Sequence, residues 1–145
     1  MSIRVTVFLL FSLVISIIDA KTFKIPNILL IFCFLIIFII DIYASNGIMF
    51  FLENFSVAFI WFIIFYMIFL FKGGLGFGDV KYAFLTGYAL GLDITPLAFL
   101  CTSISAILMY AIGIGLLGWK LSDKLPFAPF MFSGALSAVS LNLNI

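Results

Sequence analysis

Histidine is absent from the 145 residues, and the two cysteines, Cys33 and Cys101, stand alone inside apolar runs with no CxxC pair. Without histidine a Ser-His or Cys-His nucleophilic arrangement cannot form. The isolated cysteines argue against zinc ligation and against a disulfide staple, so neither a metal nor another cofactor is expected. Charge is scarce too: Asp, Glu, Lys and Arg make up 9% of the chain and the net charge is +1, which points to no nucleic-acid partner. The glycine cluster near residue 76 is not followed by Gly-Lys-Ser/Thr, which excludes a phosphate-binding loop. Regular polar and apolar alternation is also missing, and a transmembrane β-barrel needs it.

What the chain does have is apolar bulk. Hydrophobic residues account for 66% of it, there are twenty Phe, and the mean hydropathy is +1.41, far outside the soluble range. A bilayer-crossing helix needs roughly 20 mostly apolar residues, fewer when flanking charges snorkel. Six uncharged runs meet that need: 5–18, 25–40, 54–71, 82–92, 94–119 and 125–145. The fourth is long enough only if it starts near Asp79, and Pro96 then sits in the first turn of the fifth. The expectation is an all-α integral membrane protein, a single polytopic domain over 1–145 built as a bundle of six transmembrane helices in contact with lipid. The Phe side chains would supply lipid-facing and packing surface. A cleaved signal peptide is the weaker reading of the first twenty residues, because Ile18-Asp19-Ala20 lacks the small residue that a cleavage site carries first.

Six helices sort the charges. Lys21, Lys24, Lys72, Lys81, Lys120 and Lys124 fall on one side, Asp41, Glu53 and Asp93 on the other. The basic side is cytoplasmic by the positive-inside rule, so both termini are extracytoplasmic, with Arg4 the exception. The location expected is the cytoplasmic (inner) membrane.

Topology also divides the carboxylates. Asp41, Glu53 and Asp93 read as solvated charges at outer helix ends, and Asp123 as a loop partner of Lys120 and Lys124. Asp19 and Asp79 remain. Ser12 and Ser16 share a helical face with Asp19, a polar stripe that should turn toward protein or trapped water. Asp79 heads a row of small residues, Ala83, Gly87 and Gly91, over which another helix can pack closely. An ionised Asp deep in a bilayer costs ~2.5–3.5 kcal/mol, so an unpaired one is normally eliminated or functional. Two carboxylates about 4 Å apart repel by roughly 4 kcal/mol at an effective dielectric of about 20, so such a pair holds one proton between them. That arrangement suits acid/base hydrolysis of a peptide bond, one carboxylate activating water and the other protonating the carbonyl oxygen. The glycines have two readings: a GxxxG packing pair at Gly74 and Gly78, favoured by spacing alone, or a bare backbone at Gly76 and Gly78 against which an extended substrate lies.

"GFGDVK", Gly76 to Lys81, resembles the GxGD motif of the membrane aspartyl proteases, with the Val-Lys extension of the type IV prepilin peptidase branch. "DAKTFKIPN", Asp19 to Asn27, is similar to that branch's first catalytic aspartate with its Ile-Pro-Asn, and "LPFAPF", Leu125 to Phe130, to the segment opening its last helix, with Ala128 in place of glycine. The resemblance spans almost the whole chain. It implies an aspartic endopeptidase that removes the short basic leader of type IV prepilins or pseudopilins, usually between Gly and Phe and ahead of a long apolar N-terminal helix, at the cytoplasmic face. Asp19 and Asp79 carry over as the catalytic pair, with Gly76 and Gly78 as motif glycines. The larger members carry an N-terminal zinc segment and also methylate the new N-terminus. This chain resembles the short forms, for which methyltransferase activity is not expected. The presenilin-like branch is less similar, its Tyr-Asp and Pro-Ala-Leu motifs being missing.

The residues flanking the aspartates have simpler readings. Pro26 is a first-turn proline, Asn27 fills hydrogen bonds at a helix start, and Lys81 is either a neighbour tuning Asp79 or a snorkelling topology anchor. The alternative for the whole chain is a noncatalytic transporter, channel or secretion or pilus assembly subunit, whose charges would be spread through the depth of the bundle. An inactive relative is a third possibility.

Overall fold

The computed structural model describes residues 2–44, 47–71, 75–118 and 125–142. They form an all-helical membrane protein with five helices: α1 Ile3–Thr22, α2 Asn27–Tyr43, α3 Ile48–Leu70, α4 Phe77–Leu117 and α5 Ala128–Asn142. Three of them, α1, α3 and α4, are long and apolar enough to cross a membrane, and α2 is a shorter apolar helix. Large apolar side chains such as Leu10, Ile31, Ile63 and Ile107 face outward, as a lipid-exposed surface requires.

Several helices run past an end expected from the uncharged runs. Asp41 lies inside α2 and Glu53 inside α3, because an ionic side chain does not stop a helix whose backbone bonds continue. The expected fourth and fifth helices are one element, α4. At 1.5 Å per residue its 41 residues would span about 61 Å, twice the roughly 30 Å hydrocarbon core. It is not straight: Gly91, with φ 71° and ψ −176°, leaves helical geometry and divides α4 into 77–90 and 92–117. Gly91 can do this because it lacks a Cβ. Pro96 therefore lies five residues beyond the break, past the first turn where it was expected, and the Thr95 hydroxyl donates to the Gly91 carbonyl.

Two glycines set the packing on α4. A Cβ at Gly87 would come within 2.9 Å of Ala58 Cα, so α3 crosses the first half of α4 at backbone distance. A Cβ at Gly134 of α5 would come within 2.5 Å of the Ala98 carbonyl, so α5 lies equally close to the second half. The row of small residues after Asp79 thus works as a packing seam at Ala83 and Gly87, whereas its last member, Gly91, makes the break.

The positive-inside reading meets an unexpected arrangement at Arg4. Its guanidinium lies 3.8 Å from Asp41, whose side chain is 1% exposed. It also donates to the carbonyls of Tyr88 (2.7 Å) and Ala89 (3.0 Å) and to Asn54 Oδ1 (3.0 Å). Asp41 is therefore a buried ion-pair partner and not a solvated charge, whereas Glu53 and Asp93 are exposed as expected. Arg4 thus donates to two carbonyls at the end of 77–90, just before the Gly91 break. Lys72, Gly73, Gly74, Lys120, Asp123 and Lys124 lie outside the described residues.

Candidate active site

Asp19 sits one turn before the end of α1, on the stripe it shares with Ser12 and Ser16, and all three are buried. The stripe faces protein, as its spacing required. After Thr22 the chain turns through Phe23, whose left-handed backbone (φ 53°) lets its amide donate to the Asp19 carbonyl at 2.8 Å. That turn ends α1 and sends residues 24–27 across the start of α4. The Asp19 carboxylate meanwhile reaches the beginning of α5: Oδ2 accepts from the Ala128 amide at 3.1 Å, with the Phe127 amide alongside. Two motifs 109 residues apart are joined by that bond, and a carboxylate is the group that a helix N-terminus with free amides favours.

Asp79 occupies the third position of α4, and its carboxylate turns back to the helix start, Oδ2 accepting from the Gly76 amide at 2.9 Å. The Asp79 amide in turn donates to the Gly76 carbonyl at 3.0 Å. A Cβ on residue 76 would stand 3.2 Å from Asp79 Oδ2, so Gly76 leaves that oxygen uncrowded. Gly78 has a different task. A Cβ there would meet Ile25 Cβ at 3.0 Å, so the missing side chain lets the loop after Asp19 close onto α4.

Asp19 and Asp79 line one cavity of about 350 Å³ together with Gly76, Gly78, Asn27 and Lys81. Both residues are buried, Asp19 4% and Asp79 9% exposed. Lys81 does not pair with Asp79: its ammonium donates to Asn27 Oδ1 at 3.0 Å and lies 4.9 Å from the Phe77 ring centroid. Asn27 therefore ties α2 to α4. Pro26, expected in the first turn, is the residue before α2, where its carbonyl accepts from the Leu29 amide at 3.1 Å, and it does not line the cavity.

One buried side chain escaped sequence reasoning. Tyr82, one turn after Asp79, is fully buried, with its ring centroid 6.3 Å from that of Phe8 on the helix that carries Ser12 and Asp19. Its spacing of three from Asp79 and the seven-residue spacing of Ser12 from Asp19 were the available signals.

Residues 6–114 match the type IV leader peptidase family. The match covers about three quarters of the chain, and the chain belongs to that family. Neither the curated proteins nor the solved structures give a match.

Proposed function

We propose that this member of the type IV leader peptidase family is a membrane-embedded aspartic endopeptidase with Asp19 and Asp79 as its catalytic pair. Its substrates are type IV prepilins or prepilin-like proteins, from which it removes the short basic leader at the cytoplasmic face of the inner membrane. The observation that carries the reading is the single cavity in which both carboxylates stand, each anchored through one oxygen by a backbone amide at a helix start. Amide anchoring fixes the two side chains without a cation, which leaves the pair free to share a proton. The ionised member draws a proton from water as it attacks the scissile carbonyl, and the protonated member gives its proton to the carbonyl oxygen. The tetrahedral species then collapses with proton transfer to the leaving amine, and no acyl-enzyme forms. Neither step calls on a cofactor.

The multi-pass topology belongs to the same proposal. The Gly91 break supports counting the two parts of α4 as separate crossings, which makes six and places both termini outside. Lys24 and Lys81 beside the carboxylate cavity support a cytoplasmic position for it.

A noncatalytic transporter or assembly subunit has one observation on its side, the buried Arg4–Asp41 pair, since it puts charge into the bundle away from the cavity. The Arg4 guanidinium is nevertheless engaged by backbone carbonyls and Asn54, which is a structural task. The test is leader removal from a co-expressed prepilin. Asp19→Asn and Asp79→Asn should each reduce it at least 100-fold while the protein still accumulates in the membrane. Near-normal cleavage by either variant would refute the assignment.

A further inference from the structure

A second cavity, of about 330 Å³, opens between α2 and the first half of α4 and shares Asn27 and Lys81 with the carboxylate cavity. The two helices run side by side in the same direction from that shared end, as Lys81 meets Asn27 there and Tyr88 meets Phe34 further along. They touch far less than α3 and α4 do, and the groove is what this leaves. Its floor is Leu30 and Leu85, its outer rim Ile31 and Leu35, and Phe34 and Phe84, 6.1 Å apart between centroids, complete the lining. Apart from the Lys81–Asn27 hydrogen bond at its mouth, the lining is apolar.

The shape restricts the occupant. From Asn27 to Leu35 is eight residues, or about 12 Å along α2. That falls short of the roughly 15 Å that one leaflet's acyl chains occupy, and it suits two turns of a helix presenting large side chains. Whatever enters must be apolar where it lies against Leu30 and Leu85, yet it must continue as a polar, extended backbone where the groove meets Asp19 and Asp79. We propose that this groove seats the apolar helix that follows the scissile bond of the substrate. The Lys81–Asn27 contact then marks the level at which the extended cleavage segment becomes that helix. The assignment rests on the peptidase reading above and adds where the membrane-embedded part of the substrate is recognised.

The rim permits a direct test, since Ile31 and Leu35 are 58% and 45% exposed and accept larger side chains without disturbing the core. Photoreactive p-benzoylphenylalanine is placed at position 31, and at position 63 on α3 as a control, in the full chain carrying Asp79→Asn, reconstituted with a synthetic prepilin that has a basic leader and an apolar helix. The proposal expects adducts with the prepilin helix from position 31 at least 10-fold above those from position 63. Lipid adducts alone, or equal yields at both positions, overturn it. A second arm uses Ile31→Trp and Leu35→Trp in the otherwise unaltered chain. KM for the helical prepilin should rise about 10-fold, while cleavage of a soluble peptide ending a few residues after the scissile bond stays within 2-fold. Equal losses on both substrates, or no change on either, overturn the groove assignment. Failure of the peptidase reading looks different: the unaltered chain then cleaves neither substrate, whatever the adduct pattern.

Discussion

Arg4→Met tests the arrangement that sequence patterning did not foresee. The Arg4 side chain is 12% exposed and that of Asp41 1%, so the pair is shielded from the solvent that reduces surface salt bridges to almost nothing. Arg4 also supplies donors to Tyr88 O, Ala89 O and Asn54 Oδ1 at 2.7 to 3.0 Å. A hydrogen bond to a charged group contributes ~1.5–3 kcal/mol, but three on one guanidinium are not additive. The larger consideration is what stays behind. Removing one member of a buried ion pair leaves the other uncompensated and costs about 3–5 kcal/mol. Arg4→Met should therefore destabilise the protein by about that amount, followed by SDS titration of the micelle-reconstituted protein with circular dichroism as the readout. Arg4→Met/Asp41→Leu removes both charges and should recover at least ~1 kcal/mol of the loss, although the two carbonyls remain without their donor. Arg4→Lys keeps the charge and loses the fork that serves several acceptors at once, so it should fall between. A change within ~0.5 kcal/mol for Arg4→Met, or a double variant no better than the single, would show that Asp41 does not depend on Arg4.

Two glycine substitutions separate packing from chemistry. Gly78→Ala gains about 0.8–1 kcal/mol of helix propensity and loses a comparable amount by pressing on Ile25, 3.0 Å from the new Cβ. Stability should therefore change by less than ~1 kcal/mol while leader cleavage falls about 10-fold, as the loop after Asp19 moves relative to Asp79; unchanged cleavage would contradict this. Gly91→Ala forces a side chain into backbone geometry that is essentially restricted to glycine and should cost about 1–3 kcal/mol in the same SDS titration. An unaltered midpoint would mean that the break is not needed.

The apolar runs, the lack of strands among the described residues and the two aspartate motifs themselves were legible, because each is written in neighbouring residues. Helix ends were misread where Asp41 and Glu53 were taken as boundaries. Burial decides what a charge does, and burial depends on partners from other helices. Arg4 and Asp41 are 37 residues apart and meet only because α1 and α2 pack beside the break in α4, so no local pattern could join them. The same holds for Asp19 and Ala128, whose link was visible only as two separate motif matches.

The glycines between the apolar runs show what such contacts add. Spacing offered a choice between close packing and a bare surface for substrate, and the two positions divide it. Gly76 keeps a carboxylate oxygen of Asp79 clear, whereas the space at Gly78 is already occupied by Ile25. Ile25 belongs to the segment that begins at Asp19, so the contact at Gly78 holds one aspartate's loop against the other aspartate's helix. With Lys81 bonded to Asn27 on one flank and Ala128 bonded to Asp19 on the other, three contacts hold the segments that carry the two aspartates, and none of them pairs a carboxylate with a cation. Lys81 therefore lines the cavity bonded to Asn27 and to neither carboxylate. On the proposed mechanism, a lysine held by the Asn27 side chain stays near the pair while the two aspartates share a proton.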